Sequence, residues 1–159
     1  MSSPLTFNNC ATPVIKNTTV DTQTIQTGDE TTLASLTLNL NNIGDKVYFA
    51  ADITFIFIDL PPDEVPSDFL TFRVYRDAIL IFEKEIFCSN HVILSEGPSL
   101  IYVYQPTEAN FFCVDTPPFT HCDCPKQLTY NLTVQSTVFD SYTITPNTST
   151  SSFIIVELK

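Results

Sequence analysis

The side chains in this chain best equipped for covalent chemistry are its cysteines, five among 159 residues. Three fall in one stretch, Phe112-Cys113-Val114-Asp115 followed by His121-Cys122-Asp123-Cys124-Pro125. Cys88 lies upstream, and Cys10 stands alone behind an uncharged segment, Met1 to Asn9. An odd number of thiols cannot all pair within one chain, so an oxidising setting calls for a bond between chains or a free reactive thiol. Cys122 and Cys124, one residue apart, are badly placed to bond each other, so each should look elsewhere. Cys88 is a candidate partner for the 113–124 stretch, and several connectivities are compatible with the sequence.

Other chemistries fit these residues less well. Thiolates and imidazole bind zinc, but the spacing expected of a structural site is two separated pairs of cysteines two to four residues apart. Cys122-Asp123-Cys124 with His121 does not supply that geometry, and disulfides are the better reading. Asp59, Asp63, Glu64 and Asp68 form an acidic, proline-stiffened loop. Calcium takes several such oxygens, yet no calcium-loop spacing is present, and a solvated loop is expected. Nucleophilic catalysis lacks its parts: His91 and His121 are the two histidines, and no Gly-x-Ser-x-Gly turn occurs. We therefore expect no enzyme activity, no metal and no cofactor.

Composition narrows the partners. Lys and Arg total 7 against 18 Asp and Glu, a net charge of −11 with a sequence pI near 4.2. A nucleic-acid binder needs a cationic footprint to displace phosphate counterions, so nucleic acid is not an expected partner, and anionic membranes repel the chain likewise. Gly numbers only 3, which rules out a glycine-rich phosphate loop. The longest apolar run, Ile53 to Leu60, is far too short for a membrane-spanning helix, so no membrane insertion is expected. The first residues carry neither a basic nor an apolar signal region. The expectation is a mature form, or a chain that reaches the exterior when the cell that assembled it lyses.

These side chains must be held by strands, because apolar residues alternate with a period of two along most of the chain. Ala34, Leu36, Leu38 and Leu40 share a face. So do Val47, Phe49, Ala51, Ile53, Phe55 and Phe57, in a strand whose far end turns apolar on both faces. Leu70, Phe72 and Val74 alternate with Thr71, Arg73 and Tyr75. Arg76-Asp77-Ala78 then turns into a hairpin partner, Ile79 to Phe87. Leu100 to Tyr104, Leu128 to Val134, Val138 to Ile144 and Phe153 to Leu158 continue the series, and Thr12 to Gln26 supplies one or two more. The segments Pro61 to Asp68 and Gln105 to Gln127 read as long loops. About eight to ten such strands with polar turns predict an all-β sandwich, with the jelly roll favoured. Residues 1–12 read as a flexible N-terminal connector arm and 13–159 as a single domain. The expected core is Phe49, Ile53, Phe55, Leu70, Phe72, Leu132, Phe153 and Ile155.

The series Leu70-Thr71-Phe72-Arg73-Val74-Tyr75-Arg76, Phe111-Phe112-Cys113-Val114-Asp115, Cys122-Asp123-Cys124 and Leu128-Thr129-Tyr130-Asn131-Leu132-Thr133-Val134 occurs in that order. Over roughly residues 30 to 159 it resembles an uncharacterised cysteine-containing domain family of clostridia-like spore-forming bacteria. Here Cys122-Asp123-Cys124 follows Phe111-Phe112-Cys113-Val114-Asp115 after a longer insert than that family's pattern has. In layout the chain is also similar to endospore appendage subunits, jelly rolls whose cysteine-bearing N-terminal connector bonds a neighbouring subunit while strands pair edge to edge.

This resemblance implies a non-catalytic, self-assembling subunit of a spore-surface fibre or layer, a homo-oligomer or open-ended polymer. Cys10 on its arm matches the connector, without the paired cysteines of some members. An arm of nine residues reaches about 30 Å when extended. It can therefore carry Cys10 to Cys113, Cys122 or Cys124 of the next subunit, or back onto its own sheet. The alternative is a closed trimer resembling tumour-necrosis-factor-like or C1q-like jelly rolls, acting as a binding module.

Overall fold

The computed structural model describes residues 15–20, 25, 28–40, 42, 44–58, 67–89, 91–96, 99–104, 107–118, 126–136, 143–146 and 151–158. The strands are β1 (Ile15–Thr19), β2 (Glu30–Leu40), β3 (Lys46–Ile58), β4 (Ser67–Arg76), β5 (Ile79–Ser89), β6 (His91–Glu96), β7 (Ser99–Tyr104), β8 (Thr107–Asp115), β9 (Lys126–Ser136), β10 (Thr143–Pro146) and β11 (Ser152–Leu158). All described pairings are antiparallel.

One sheet runs β1, β11, β3, β8, and the other runs β2, β9, β4, β5. The pairs β1 with β11, β2 with β9, β3 with β8 and β4 with β5 nest inside one another. That is one long hairpin rolled into two facing sheets, which is the jelly roll. The short β6–β7 hairpin forms a two-stranded sheet of its own.

β10 and β11 lie end to end along the same side of β3, and the break between them is bridged chemically. Ser151 is buried, and its hydroxyl accepts from the Thr54 N–H at 2.9 Å and donates to the Thr54 carbonyl at 3.2 Å. A side chain thus satisfies backbone groups on β3 that no strand reaches, as buried polar groups require.

The two-residue periodicity builds the core. Val47, Phe49, Ala51 and Ile53 of β3 face Leu70, Phe72 and Val74 of β4 and Leu128, Tyr130, Leu132 and Val134 of β9, with Phe153 and Ile155 of β11 completing the layer. Seven of the eight expected core residues are buried, and the Phe55 side chain lies outside the described set. On β2 the register slips between Thr32 and Ala34, so Leu33 and Ala34 are both buried although they are neighbours. A bulge of this kind places two residues against one on the partner strand. Leu36 is only partly buried.

Three expectations need correction. Gln105 to Gln127 is not one loop: it contains β8, in register with β3 from Val47–Asp115 to Phe55–Thr107. Along β8, Ala109, Phe111 and Cys113 face inward and alternate with Asn110, Phe112 and Val114. Second, β6 is a strand that the periodicity did not reveal, and the described strand nearest Val138–Ile144 is β10. Third, Thr71, whose alternation with Leu70 and Phe72 predicts a surface position, is buried.

The β4–β5 hairpin turns on Asp77 and Ala78, whose φ angles are 46° and 70°. Two consecutive positive φ values between paired strands match the twist of a hairpin and suit Asn, Asp or Gly. Asp77 earns its place through its carboxylate, which accepts from the Thr129 N–H at 2.8 Å, while its own N–H donates to the Thr129 carbonyl at 2.9 Å. Ala78 bears a Cβ in a conformation that costs an ordinary residue about 1–2 kcal/mol. Ala78→Gly is expected to raise stability by about 0.5–1 kcal/mol, part of the relieved strain being lost to unfolded-chain entropy. The midpoint of urea unfolding reads this directly; a lower midpoint contradicts it.

Candidate assembly interface

The thiols come first. Cys113 stands on β8 opposite Phe49 of β3, on the inward-facing side of that strand, half-buried against the core and free. It is therefore not in an exposed loop, as its sequence neighbourhood implied. Cys88 lies on β5 opposite Asp68 of β4, and its side chain is outside the described set. Cys10, Cys122 and Cys124 lie outside the described residues, as do the N-terminal arm, His121, Asp59, Asp63 and Glu64. The structure thus brings no two of the cysteine side chains together among the described residues.

It does join three polar groups that the sequence did not single out. Arg76 of β4, Tyr130 of β9 and Asp115 of β8 all occupy core-facing positions at one end of the sandwich. Arg76 Nη1 donates to both Asp115 carboxylate oxygens at 2.7 Å, and the Tyr130 hydroxyl donates to Oδ2 at 2.8 Å. The side chains of Arg76 and Asp115 are each 9% exposed, and Tyr130 is fully buried. This bridge fastens the edge strand of one sheet to two strands of the other. The signal was present in Phe69 to Arg76, where Leu70, Phe72 and Val74 put Arg76 on the core side by parity.

Burial, and then the hydrogen bond to Asp115 and its negative charge, push the Tyr130 hydroxyl well above the ordinary phenol range. An acid whose folded pKa is raised holds its proton in the fold after the unfolded chain has lost it. Its stabilising effect is complete below about pH 10 and falls as pH climbs above that value. Stability is expected to drop by about 1.4 kcal/mol per pH unit above pH 10 from this group. Urea midpoints measured from pH 8 to pH 11.5 test it, and Tyr130→Phe should flatten the alkaline limb.

Among the described strands of the two facing sheets, the four-residue β10 and the edges β1, β8, β2 and β5 have an unpaired side, and these last four are not equivalent. An open edge invites another strand, and proteins block edges with short strands, bulges and inward-pointing charges. β1 has 5 residues, and Lys16 stands opposite the buried Ile155, on the core-facing side. β2 carries the bulge at Leu33, and β5 a second one, where the register slips between Val74 and Tyr75. On β5, Lys84 also faces inward, and its Nζ reaches across the mouth of the sandwich to the Asn110 carbonyl of β8 at 3.1 Å. Behind that clasp, Phe82 stacks on Phe111 at 5.1 Å and meets Phe49 edge-on at 5.6 Å.

β8 differs. Its 9 residues hold unbroken register on β3 and contain no proline, lysine or arginine. No described strand pairs its other side. A groove of about 480 Å³ beside it is lined by residues that include Phe82, Lys84, Phe111 and Phe112.

No protein-family model matches the chain, and no curated protein matches it by sequence. Solved structures do match in shape. The structure of the infectious bursal disease virus Gx strain aligns over 91% of this chain and 33% of its own, with a TM-score of 0.50 and 11% identity. A mutant VP2 protein of infectious bursal disease virus in derived T=1 particles aligns over 91% of this chain and 31% of its own, with a TM-score of 0.50 and 12% identity. The chain spans about a third of the length of these two structures. At such identity the likeness concerns the fold, an all-β jelly-roll sandwich.

Proposed function

We propose that this chain is a non-catalytic structural subunit that assembles with copies of itself, as a fibre, appendage or layer at a bacterial spore surface. The observation that carries the reading is β8, an edge strand of 9 residues in unbroken register with no bulge or proline, on which Asp115 faces inward and Lys84 caps the Asn110 carbonyl. The backbone N–H and C=O groups of β8 that no described strand or side chain takes up are a template for strand addition. Jelly rolls in the similar VP2 structure occur in T=1 particles, which supports using such a sandwich as a repeated unit. The spore setting rests on the sequence resemblance alone, as does assembly inside a cell that later lyses.

In this reading Cys10 carries the covalent link between subunits. Cys113 is half-buried behind β8, so Cys122 and Cys124 are the favoured acceptors. A head-to-tail contact that does not close generates an open filament. Purified protein under oxidising conditions should show fibres or sheets by electron microscopy and a ladder on a non-reducing denaturing gel. Cys10→Ser should remove the ladder. A chain that stays monomeric at every concentration sinks the proposal, a discrete trimer points to the binding-module class instead, and an unchanged ladder removes Cys10 from the link.

A further inference from the structure

The two outer faces of the sandwich differ in kind. The outer face of the β2-β9-β4-β5 sheet carries a network of hydrogen-bonded polar groups, with Phe69, Phe87 and Leu80 exposed beside it. Arg73 bonds Glu83 at 2.6 Å and Gln135 at 2.8 Å, Tyr75 donates to Glu30 at 3.3 Å, and Thr37 pairs with Thr129 at 3.2 Å. The outer face of the other sheet is apolar. One row across it reads Val114, Tyr48, Val156, Ile15, and the next reads Phe112, Ala50, Ile154, Asn17, apolar but for the last. Phe112 is 71% exposed, Ile15 62% and Val114 46%, and the Phe112 ring stacks on Tyr48 at 6.2 Å.

Charge stands at opposite ends of this face. Lys46, exposed beside Leu158, lies one position beyond the first row. Asp52, exposed between Asn110 and Ser152, lies one position beyond the second. Both belong to β3, six residues apart and on the same side of it, a separation of roughly 20 Å.

We infer that this face packs against the same face of a second copy, about a two-fold axis that crosses the strands at the level of Phe49. Rotation about that axis reverses strand direction and keeps lateral order. Tyr48 then lies over the partner copy's small residue at position 50, Phe112 over position 114, Ile154 over position 156 and, at the margin on β1, Ile15 over position 17. Lys46 lies over the carboxylate at position 52, and the symmetry makes that pair twice. Bulky residues thus meet smaller ones and each cation meets an anion, allowing for the angle of about 30° between aligned sheets.

A two-fold axis along β3 would instead set Lys46 against its own copy. Four strands at about 4.8 Å and seven residues at about 3.4 Å give a contact of roughly 450 Å² per copy in projection. That is the low end of specific interfaces, so a weak dimer follows, with a Kd of roughly 10–100 μM. The dimer is closed and leaves β8 open, so it stands independently of the fibre reading.

The test is sedimentation equilibrium of the full-length Cys10→Ser chain under reducing conditions at about 0.15 M salt, where the Debye length of about 8 Å screens the repulsion between acidic copies. Lys46→Glu and Asp52→Lys should each weaken self-association about tenfold, and the double variant should regain it to within about threefold. Phe112→Ser should weaken it about a hundredfold. Thermal unfolding of each variant verifies that these exposed substitutions leave the fold intact. Single variants that associate like the parent, or a double variant weaker than either single, overturn the inference. So does a photo-crosslinker at position 112 that attaches to residues 1–14 of its own chain rather than to the β8 region of another.

Discussion

Asp115→Ala is expected to cost about 3–5 kcal/mol, the range for removing one partner of a buried ion pair. The cost comes from what is left behind. Arg76 would keep its charge at a site 9% exposed, and the Tyr130 hydroxyl would lose its acceptor. A domain of this size has a total stability of only about 5–15 kcal/mol, so a large part of the margin goes. Replacing both charged partners together, Arg76→Met with Asp115→Leu, should cost far less, because an apolar pair carries no desolvation penalty. Urea unfolding at pH 7 distinguishes the two. A single variant that loses less than about 1 kcal/mol would mean the bridge is solvated and the sheets are held together at that end by packing alone.

Phe111→Ala should be nearly as damaging, at about 3–5 kcal/mol for a buried phenylalanine. Its ring is 6% exposed and lies 5.8 Å from Phe72 of the opposite sheet and 5.1 Å from Phe82 of the facing edge. Phe112→Ala, one residue on, removes a ring that is 71% exposed and should change monomer stability by about 0.5 kcal/mol or less. The contrast between neighbours is the point, since a strand separates them onto opposite faces whereas a loop would not. Equal, small effects at both positions would contradict the placement of β8.

The hydrophobic parity of β3, β4, β9 and β11 was written in the residues themselves. Alternation is local, and a one-residue slip in any of these strands would expose its whole apolar set, so the fold class and most of the core could be read directly. The turn at Asp77 was legible for the same reason: its cause lies within a few residues. β8 was not, because Phe111, Phe112 and Val114 blur the two-residue pattern and both faces of that strand carry apolar groups. Which strand is an edge, and whether that edge is guarded, depends on partners far away in the chain. Lys84 becomes a clasp only once β5 stands beside β8, and Arg76, Asp115 and Tyr130 become a bridge only when three strands from two sheets converge. The apolar outer face follows the same logic. Ile15, Tyr48, Phe112, Val114, Ile154 and Val156 come from four segments, and each alone is an unremarkable surface residue. Sequence determined which side chains face together along a strand. Tertiary structure decided which strands lie side by side, and so where the chain presents a surface to another copy, because adjacency in a rolled hairpin is set by long-range pairing that no local pattern encodes.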